Sequence, residues 1–516
     1  MQLISIIPGF QPKNDSRLLE KAERLKPGLN YTPYPAPAAC RVNGQEVPVE
    51  ALADTPLRRG DQVVLDFGRH IVGRVSLSLD QSGSAQDAPA YIRLAFAEIP
   101  GEFSEDPRQY HGWLSSSWIQ QEEMHIDLLP ARLDLPRRYA FRYVRLTVLD
   151  TSPKYQLLVR GASCTGESSA DESVLPARAL PDEALKRIYE ASLRTLAECT
   201  QLVLEDGPKR DRRLWLGDLR LQALTSYVSY RSFALIKRCL YLFAGSRFPD
   251  GRMSANVFTD REPAADDTYL TDYALWAAPT LAEYLDETDD GEALNDLLQP
   301  VLFQVDYVLE HFLTADGTVA EEAAESAFID WSDGLDRRTA LHGVLIQALD
   351  AAASLCARAG DAARAQSFRD QAEALRQTAM RLLWSEAQGC FLSGGQVSVH
   401  SQVFMILAGV MPRERASAAL ERAMSLPDGP RMITPYMHHY YVMALLAAGL
   451  KDPAERHLRE YWGGMLQNGS DTFWESWDPS DPDGSPYGGR IVNSYCHAWS
   501  CTPAYIISRY LLSSPN

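Results

Sequence analysis

Two short stretches of the chain carry acidic side chains in segments that cannot be continuous helix. The first, residues 204–218, contains three aspartates and four bases, and a Gly-Pro pair interrupts any helix there. The second, residues 472–478, holds Glu475 and leads into a loop rich in Pro, Gly and Asp. Two acids on separate loops at helix ends are the arrangement that glycoside hydrolysis uses, and we adopt this chemistry as a hypothesis.

Within the first stretch the pattern leaves three candidates for the proton-donating acid: Asp206, Asp211 and Asp218. A general acid needs a raised pKa, which burial or a second carboxylate provides and which the four neighbouring cations oppose. The sequence does not show which aspartate meets this condition. A surface salt-bridge network that caps a helix is the alternative interpretation, and Asp218 stands where we expect an N-cap residue.

The second stretch is more specific because Trp474 and Trp477 flank Glu475. Sugar-binding sites combine acids with aromatic faces that accept the apolar side of a sugar ring. The alternative is an aromatic core with one exposed glutamate.

Two further pairs extend this pattern of polar side chains beside tryptophan. Asp330-Trp331 repeats the acid with its aromatic neighbour, although helix capping would explain part of it. His497 is suited to bind sugar hydroxyls while Trp499 packs on the ring, or it is a structural histidine with its hydrogen bonds satisfied.

The elements that must position these residues change type near residue 175. Before it, β-rich runs alternate with turns, which predicts an antiparallel β-sandwich over residues 1–175. After it, the hydrophobic period is 3.6 up to the C-terminus, which predicts an all-helical domain over residues 176–516. A closed ring of helical hairpins would bring alternate loops, and so both acidic stretches, to one rim.

Composition excludes several classes of partner. The net charge of −18 repels nucleic acid and anionic membranes. The first residues resemble no signal peptide, so we expect a cytoplasmic protein. Eight scattered cysteines indicate buried, reduced thiols, and no phosphate loop or metalloprotease motif occurs; we expect no cofactor and no metal.

Several motifs in chain order resemble glycoside hydrolase family 78, the α-L-rhamnosidases. Residues 206–218 resemble the family signature Asp-Cys-Pro-x-Arg-Glu followed by Gly-Trp-x-Gly-Asp. Residues 65–73 and 141–144 resemble strands that precede the family's catalytic domain, and Asp330-Trp331, Trp474–Trp477 and His497–Trp499 fall in the family's order.

The resemblance implies an N-terminal β-sandwich on an (α/α)6 barrel that hydrolyses terminal α-L-rhamnosyl bonds with inversion and needs no cofactor. It places Asp211 as the general acid and Glu475 as the general base. Because Asp211 stands where glutamate is usual, its carboxyl is one methylene shorter and must be carried closer by the backbone, or Asp218 replaces it. The following side chains are expected to bind the sugar: Asp206, Arg210, Trp215, Asp218, Asp330, Trp331, Trp474, Trp477, His497 and Trp499.

The expected substrate is a small rhamnosylated glycoside or disaccharide, and a homodimer would cover exposed surface. Two alternatives stay open. One is another (α/α)6 exo-glycosidase, a glucosidase or an uronyl hydrolase. The other is a catalytically silent sugar-binding protein.

Overall fold

A computed structural model describes residues 7–427 and 429–512 of the chain. The first part is rich in strands and the second in helices. The strands are β1 (Lys13–Asn14), β2 (Asn30–Tyr34), β3 (Ala39–Val42), β4 (Gln45–Val47), β5 (Gln62–Gly83), β6 (Ala90–Ala97), β7 (Gln121–Ile126), β8 (Ala131–Asp134), β9 (Tyr139–Asp150), β10 (Tyr155–Ser168), β11 (Leu214–Trp215), β12 (Ser246–Arg247), β13 (Asn256–Phe258), β14 (Ala264–Ala265), β15 (Trp384–Ser385), β16 (Cys390–Ser393) and β17 (Gln396–Val397).

The helices begin in the N-terminal part and dominate from residue 183 onwards. They are α1 (Ser16–Arg24), α2 (Val49–Leu52), α3 (Glu183–Cys199), α4 (Leu216–Tyr227), α5 (Phe233–Gly245), α6 (Thr271–Thr288), α7 (Gly291–His311), α8 (Glu321–Glu325), α9 (Arg338–Arg358), α10 (Ala362–Thr378), α11 (Val399–Leu407), α12 (Arg413–Met424), α13 (Pro435–Ala447), α14 (Lys451–Gln467) and α15 (Pro503–Ile506). Single 3-10 turns lie at Pro100–Ser104, Pro107–Gln109, Ser116–Trp118, Glu172–Val174, Arg490–Val492 and Ala498–Ser500, and wider π turns at Ala379–Leu383 and Ile507–Leu511.

The β-rich domain is one nine-stranded sheet with the path β2-β10-β5-β9-β6-β7, and β3 and β8 add to β5. All its ladders are antiparallel, as predicted, but the strands form a continuous sheet in which the 22-residue β5 pairs with four neighbours. The ladder between β5 and β9 shifts register between Asp66 and Ile71, where Gly68 has φ +81°. Such a bulge bends the strand, so apolar side chains along β5 reach one shared core.

The extreme N-terminal segment belongs spatially with the helical part, although it precedes the sheet in sequence. Strand β1 pairs with β12, and the buried Leu18 and Ala22 of α1 join the core of the helices. The guanidinium of the buried Arg238 on α5 donates to Leu202 O (3.0 Å) and to Ala22 O. Residues 13–25 therefore pack with the helical part and lie outside the nine-stranded sheet.

Two stretches in which the helical hydrophobic period continues are interrupted in the structure. Residues 218–244 form α4 and α5, separated by a turn in which Arg231 has φ +53°, and residues 497–512 form short turns around α15. The sequence indicated continuity because buried apolar residues occur on both sides of each break. A residue in the left-handed conformation can end a helix even where the apolar pattern of the sequence continues.

Helix α9 is long and apolar enough to cross a membrane by length and composition, but most of it is buried among neighbouring helices. Gly343 lets it approach α11 closely, because a Cβ at this position would lie 2.6 Å from Phe404 O. It is a core helix of this fold. The prediction for the cysteines is also confirmed, since all eight are free and buried.

Candidate active site

A cavity of about 200 Å³ lies where loops of the helical part meet the β-rich domain. The three aspartates of residues 204–218, Glu475 and His497 all line it, so the two acidic stretches meet as predicted. The rest of the lining is Trp113, Leu114, Ser115, Trp118, Arg210, Arg213, Trp215, Tyr273, Phe328, Trp331, Tyr487 and Trp499. A polar floor with largely aromatic walls suits a ligand that has hydroxyl groups and an apolar face.

The loop that carries Asp206 and Asp211 is closed by its own backbone. The amide of Asp206 donates to Arg213 O (3.0 Å), and the amide of Arg213 donates to Asp206 Oδ1 (3.0 Å). Asp211 and Arg212 have φ values of +63° and +53°, which side-chain-bearing residues adopt rarely. Since Ala498 N also donates to Asp206 O (2.8 Å), the loop is fixed to the segment that carries His497.

Asp218 lies inside the first turn of α4, and the N-cap residue is Trp215. The prediction that Asp218 caps this helix is therefore wrong: the helix begins two residues earlier, because Leu216 N bonds to Ala255 O and anchors the turn. The carboxyl receives a bond from Tyr273 Oη (3.4 Å) and lies beside the positive end of the helix dipole.

The floor of the cavity contains buried polar atoms that lack a partner. Asp218 Oδ1 and His497 Nδ1 are 3.8 Å apart, and neither makes a hydrogen bond within the described residues. His497 Nε2 lies 3.9 Å from Asp206 Oδ2 and 3.6 Å from Glu475 Oε1. Buried polar groups are normally hydrogen-bonded, so this set is arranged to receive a ligand's hydroxyls.

Burial controls the ionisation of these groups. It raises the pKa of Asp206 and of Asp218 well above the usual aspartate value. It lowers the pKa of His497 well below that of a free histidine, helped by the Arg210 charge. These shifts favour the neutral forms of the imidazole and of the two carboxyls, which are suited to hydrogen bonding with a neutral sugar.

Glu475 is buried and rigidly held. Its Oε2 pairs with the guanidinium of Arg210, and its Oε1 accepts from Tyr487 Oη (2.6 Å). Arg210 is itself fixed by a bond to Val492 O (2.9 Å) and by the Tyr487 ring, 4.1 Å from its guanidinium carbon. A general base acts in its charged form, and a neighbouring cation stabilises that form.

Trp331, Trp499 and Phe328 form an apolar wall of contacting rings. Trp331 meets Trp499 edge to face at 5.5 Å, and Phe328 stacks on Trp499 at 5.6 Å. The imidazole of His497 lies 4.4 Å from the Trp499 ring. This contact helps to fix the orientation of the imidazole in the cavity floor. Trp215 lines the same cavity, as the sequence predicted.

Three predicted sugar-binding residues lie outside this cavity. Trp474 and Trp477 pack against each other edge to face (4.9 Å) and line a neighbouring cavity of about 590 Å³, which shares Trp331 with the first. Asp330 is fully buried and accepts bonds from His400 Nε2 (3.0 Å) and from the amides of residues 433 and 434. With its carboxylate saturated, Asp330 fixes the loop behind Trp331 and offers nothing to a ligand.

Other lining residues were missed by sequence reasoning. Tyr273 and Phe328 read as ordinary core residues, and Tyr487 lies in a Pro/Gly/Asp loop. Trp113 and Trp118 belong to the β-rich domain, where no catalytic signal was sought. Two tryptophans in a short Ser-rich segment between strands were the signal that could have revealed them.

Lys209, next to Arg210, anchors the acidic loop from behind. It is buried, pairs with Glu102, donates to Asn493 O (2.7 Å) and lies 3.6 Å from Glu98 Oε2. Burial raises the pKa of Glu102 to about 7 even though the Lys209 ammonium opposes the shift. Glu98 and Glu102 come from the β-rich domain, so this cluster links the two halves of the chain at the site.

Lys209→Met should lower the free energy of unfolding by about 3–5 kcal/mol, because it leaves buried carboxylates without their cation. Urea denaturation followed by circular dichroism measures this loss. Lys154→Met is the matched control, since Lys154 is exposed and pairs with Asp87 only at the surface (3.2 Å). Equal midpoints for both variants would contradict the anchoring role.

Two family models match the chain. One, described as the N-terminal domain of glycosyl hydrolase family 78 α-rhamnosidases, covers residues 36–166. The other, described as the bacterial α-L-rhamnosidase 6 hairpin glycosidase domain, covers residues 181–511.

Similar proteins of known structure or name agree with these matches. A rhamnosidase from Klebsiella oxytoca, solved with rhamnose bound, is 40% identical with a TM-score of 0.93, covering 97% of this chain and 100% of that one. A family 78 rhamnosidase of Bacillus sp. GL1 has the same fold, with 22% identity, a TM-score of 0.73 and coverage of 90% of this chain and 49% of that one. The α-L-rhamnosidase of Streptomyces avermitilis is 26% identical over 307 residues, which span 57% of this chain and only 28% of that relative.

Proposed function

Because the chain belongs to glycoside hydrolase family 78, whose models match both of its parts, we propose that it removes terminal α-L-rhamnose from small rhamnosides with inversion of configuration. The observation that carries the proposal is the cavity in which Asp211 and Glu475 meet over a floor of unpartnered polar atoms. The similar Klebsiella oxytoca protein was solved with rhamnose bound, which supports this choice of sugar.

In this mechanism Asp211 protonates the glycosidic oxygen, and Glu475 removes a proton from the water that attacks the anomeric carbon from the opposite side. Arg210 and Tyr487 orient the Glu475 carboxylate throughout the reaction. Asp206, Asp218 and His497 bind the ring hydroxyls. Hydrogen bonds to a neutral ligand suit the raised pKa values of the two aspartates and the lowered pKa of the histidine.

The aromatic wall explains why a 6-deoxy sugar fits. Rhamnose carries a methyl group at C5, where a hexose has a hydroxymethyl group. The rings of Phe328, Trp331 and Trp499 offer this methyl group an apolar surface. Apolar packing of this kind discriminates by about 1–3 kcal/mol per group, so an added hydroxyl is disfavoured without being strictly rejected.

The helical part is proposed to close as an (α/α)6 barrel beneath a β-sandwich. Return of the chain to its starting point supports ring closure: α14 packs on α3, and Arg459 Nη2 lies 2.7 Å from Asp182 Oδ2 at the beginning of α3. A ring would place alternate loops on one rim, which would account for the meeting of both acidic stretches at one cavity.

The test of function compares an aryl α-L-rhamnoside with the matching glucoside and glucuronide. We expect hydrolysis of the rhamnoside only. Cleavage of the glucuronide would point to an uronyl hydrolase, with Arg213 as the cation available in the cavity. Rhamnose binding without turnover of any substrate would establish a sugar-binding protein instead.

The stereochemical prediction is that β-L-rhamnose forms first. Proton NMR during the first minutes of hydrolysis should show the β anomer before mutarotation produces the α anomer. Release of the α anomer first would mean retention, and Glu475 or an aspartate would then act as a nucleophile.

A further inference from the structure

A segment of the β-rich domain reaches into the sugar cavity of the helical part. Trp113, Leu114, Ser115 and Trp118, which lie between β6 and β7, line the cavity together with the catalytic carboxyls. Both indoles are half-buried, and the serines between them are exposed. The segment, residues 112–118, therefore stands at the mouth of the cavity with its rings turned inward.

One end of the segment is fixed beside Glu475. Trp113 Nε1 donates to Pro486 O (3.0 Å), its ring lies 5.4 Å from that of Tyr487, and Tyr487 holds Glu475. Gly112 permits this approach, because a Cβ there would lie 1.8 Å from Tyr487 O. A residue with a side chain at position 112 would therefore prevent this contact.

The other end of the segment is fixed on the side of Asp211. Gln120, two residues after Trp118, exchanges a pair of hydrogen bonds with the backbone of Ala140 (2.7 and 2.9 Å). Arg212, next to Asp211, donates to Arg138 O (2.9 Å) on the same strand connection. The segment therefore spans the mouth from the base to the acid, and Trp118 belongs to the acid's side.

We propose that residues 112–118 form the subsite for the leaving group and that they select a flat aromatic one. This inference rests on the proposed function, because the general acid stands beside the departing oxygen. The leaving group must lie toward Asp211, on the side of the cavity to which Trp118 belongs. Trp118 offers the face of its indole there. Trp113, whose nitrogen is bonded to Pro486, adds only its ring surface at the other end, so the segment favours an aryl group over a hydroxylated sugar.

The neighbouring cavity is the competing place for a leaving group. It is wider, at about 590 Å³, and polar side chains including Asp333, Arg431 and Asp478 line it. A sugar leaving group would prefer those hydrogen-bonding partners. The two sites therefore predict opposite substrate preferences.

The experiment measures binding in the Glu475→Gln background, in which we expect intact substrates to persist. Isothermal titration calorimetry gives the Kd of methyl α-L-rhamnoside, an aryl α-L-rhamnoside and a rhamnosyl-glucose disaccharide, with and without Trp118→Ala. We expect the aryl compound to bind more tightly than the methyl compound, and Trp118→Ala to remove about tenfold of that advantage. The Kd of the methyl compound should change less than twofold.

Tyr31→Ala is the matched control, because Tyr31 is an exposed aromatic residue of the same domain that lines neither cavity. An equal loss for all three ligands in Trp118→Ala would overturn the inference, since the indole would then hold the rhamnosyl unit or the fold. A loss confined to the disaccharide would also overturn it in favour of a sugar leaving group. If methyl α-L-rhamnoside does not bind at all, the proposed function fails, and the subsite fails with it.

Discussion

Glu475→Gln is expected to lower kcat on an aryl α-L-rhamnoside by a factor of about 10² to 10⁴, the usual contribution of a positioned acid or base. The amide cannot accept a proton from the attacking water. The variant should still fold, because Gln can retain the bond from Tyr487 and occupies nearly the same volume. The substitution removes the negative charge of residue 475, but Arg210 keeps its hydrogen bond to Val492 O and its contact with the Tyr487 ring.

Steady-state kinetics with a binding measurement separate this effect from a loss of structure. The Kd of free rhamnose should stay within a few-fold, because Asp206, Asp218 and His497 keep their positions. Glu386→Gln is the control, since Glu386 is exposed and far from the cavity lining. A folded Glu475→Gln variant with unchanged kcat would remove this residue from the mechanism.

The meeting of the two acidic stretches was predictable because their chemistry is local. In the first stretch Arg210 precedes Asp211, and in the second tryptophans flank Glu475. Both motifs can therefore be identified from the sequence without knowledge of the fold. The fold then brings both stretches to one cavity. The cavity lining of Asp206, Asp211, Asp218, Glu475 and His497 follows from that arrangement.

What the sequence did not reveal depends on contacts between distant elements. Asp330 looked like a ligand-binding acid, yet its carboxylate accepts hydrogen bonds from the amides of residues 433 and 434. No feature of the sequence around Asp330 predicts these bonds. Trp474 and Trp477 flank Glu475 in sequence but line a different cavity, because the irregular backbone of this segment follows no fixed side-chain period. Trp113 and Trp118 reach the site only because a second domain packs there.

The assignment of the acid depends on which aspartate meets the leaving group. Asp218 is enclosed by Tyr273 and His497 at the floor, whereas Asp211 is half-buried at the mouth, and its side chain makes no hydrogen bond within residues 7–427 and 429–512. Asp211 and Arg212 both have left-handed backbone conformations, and the Asp211 side chain lines the cavity. This difference in position is the reason why the proposed mechanism uses Asp211 as the acid and Asp218 as a sugar-binding residue.

Asp211→Asn should consequently lower kcat/KM by about 10² to 10⁴ for rhamnosides whose leaving group is a poor one, such as an alcohol. The loss should shrink steadily as the leaving group becomes more acidic, because an activated phenolate departs without a proton. A series of aryl and alkyl α-L-rhamnosides measures this as a steeper dependence of kcat/KM on the pKa of the leaving group. Asp218→Asn, the matched control in the same cavity, should instead weaken rhamnose binding by a similar factor for every substrate; if the steep dependence appears in Asp218→Asn and not in Asp211→Asn, Asp218 is the acid.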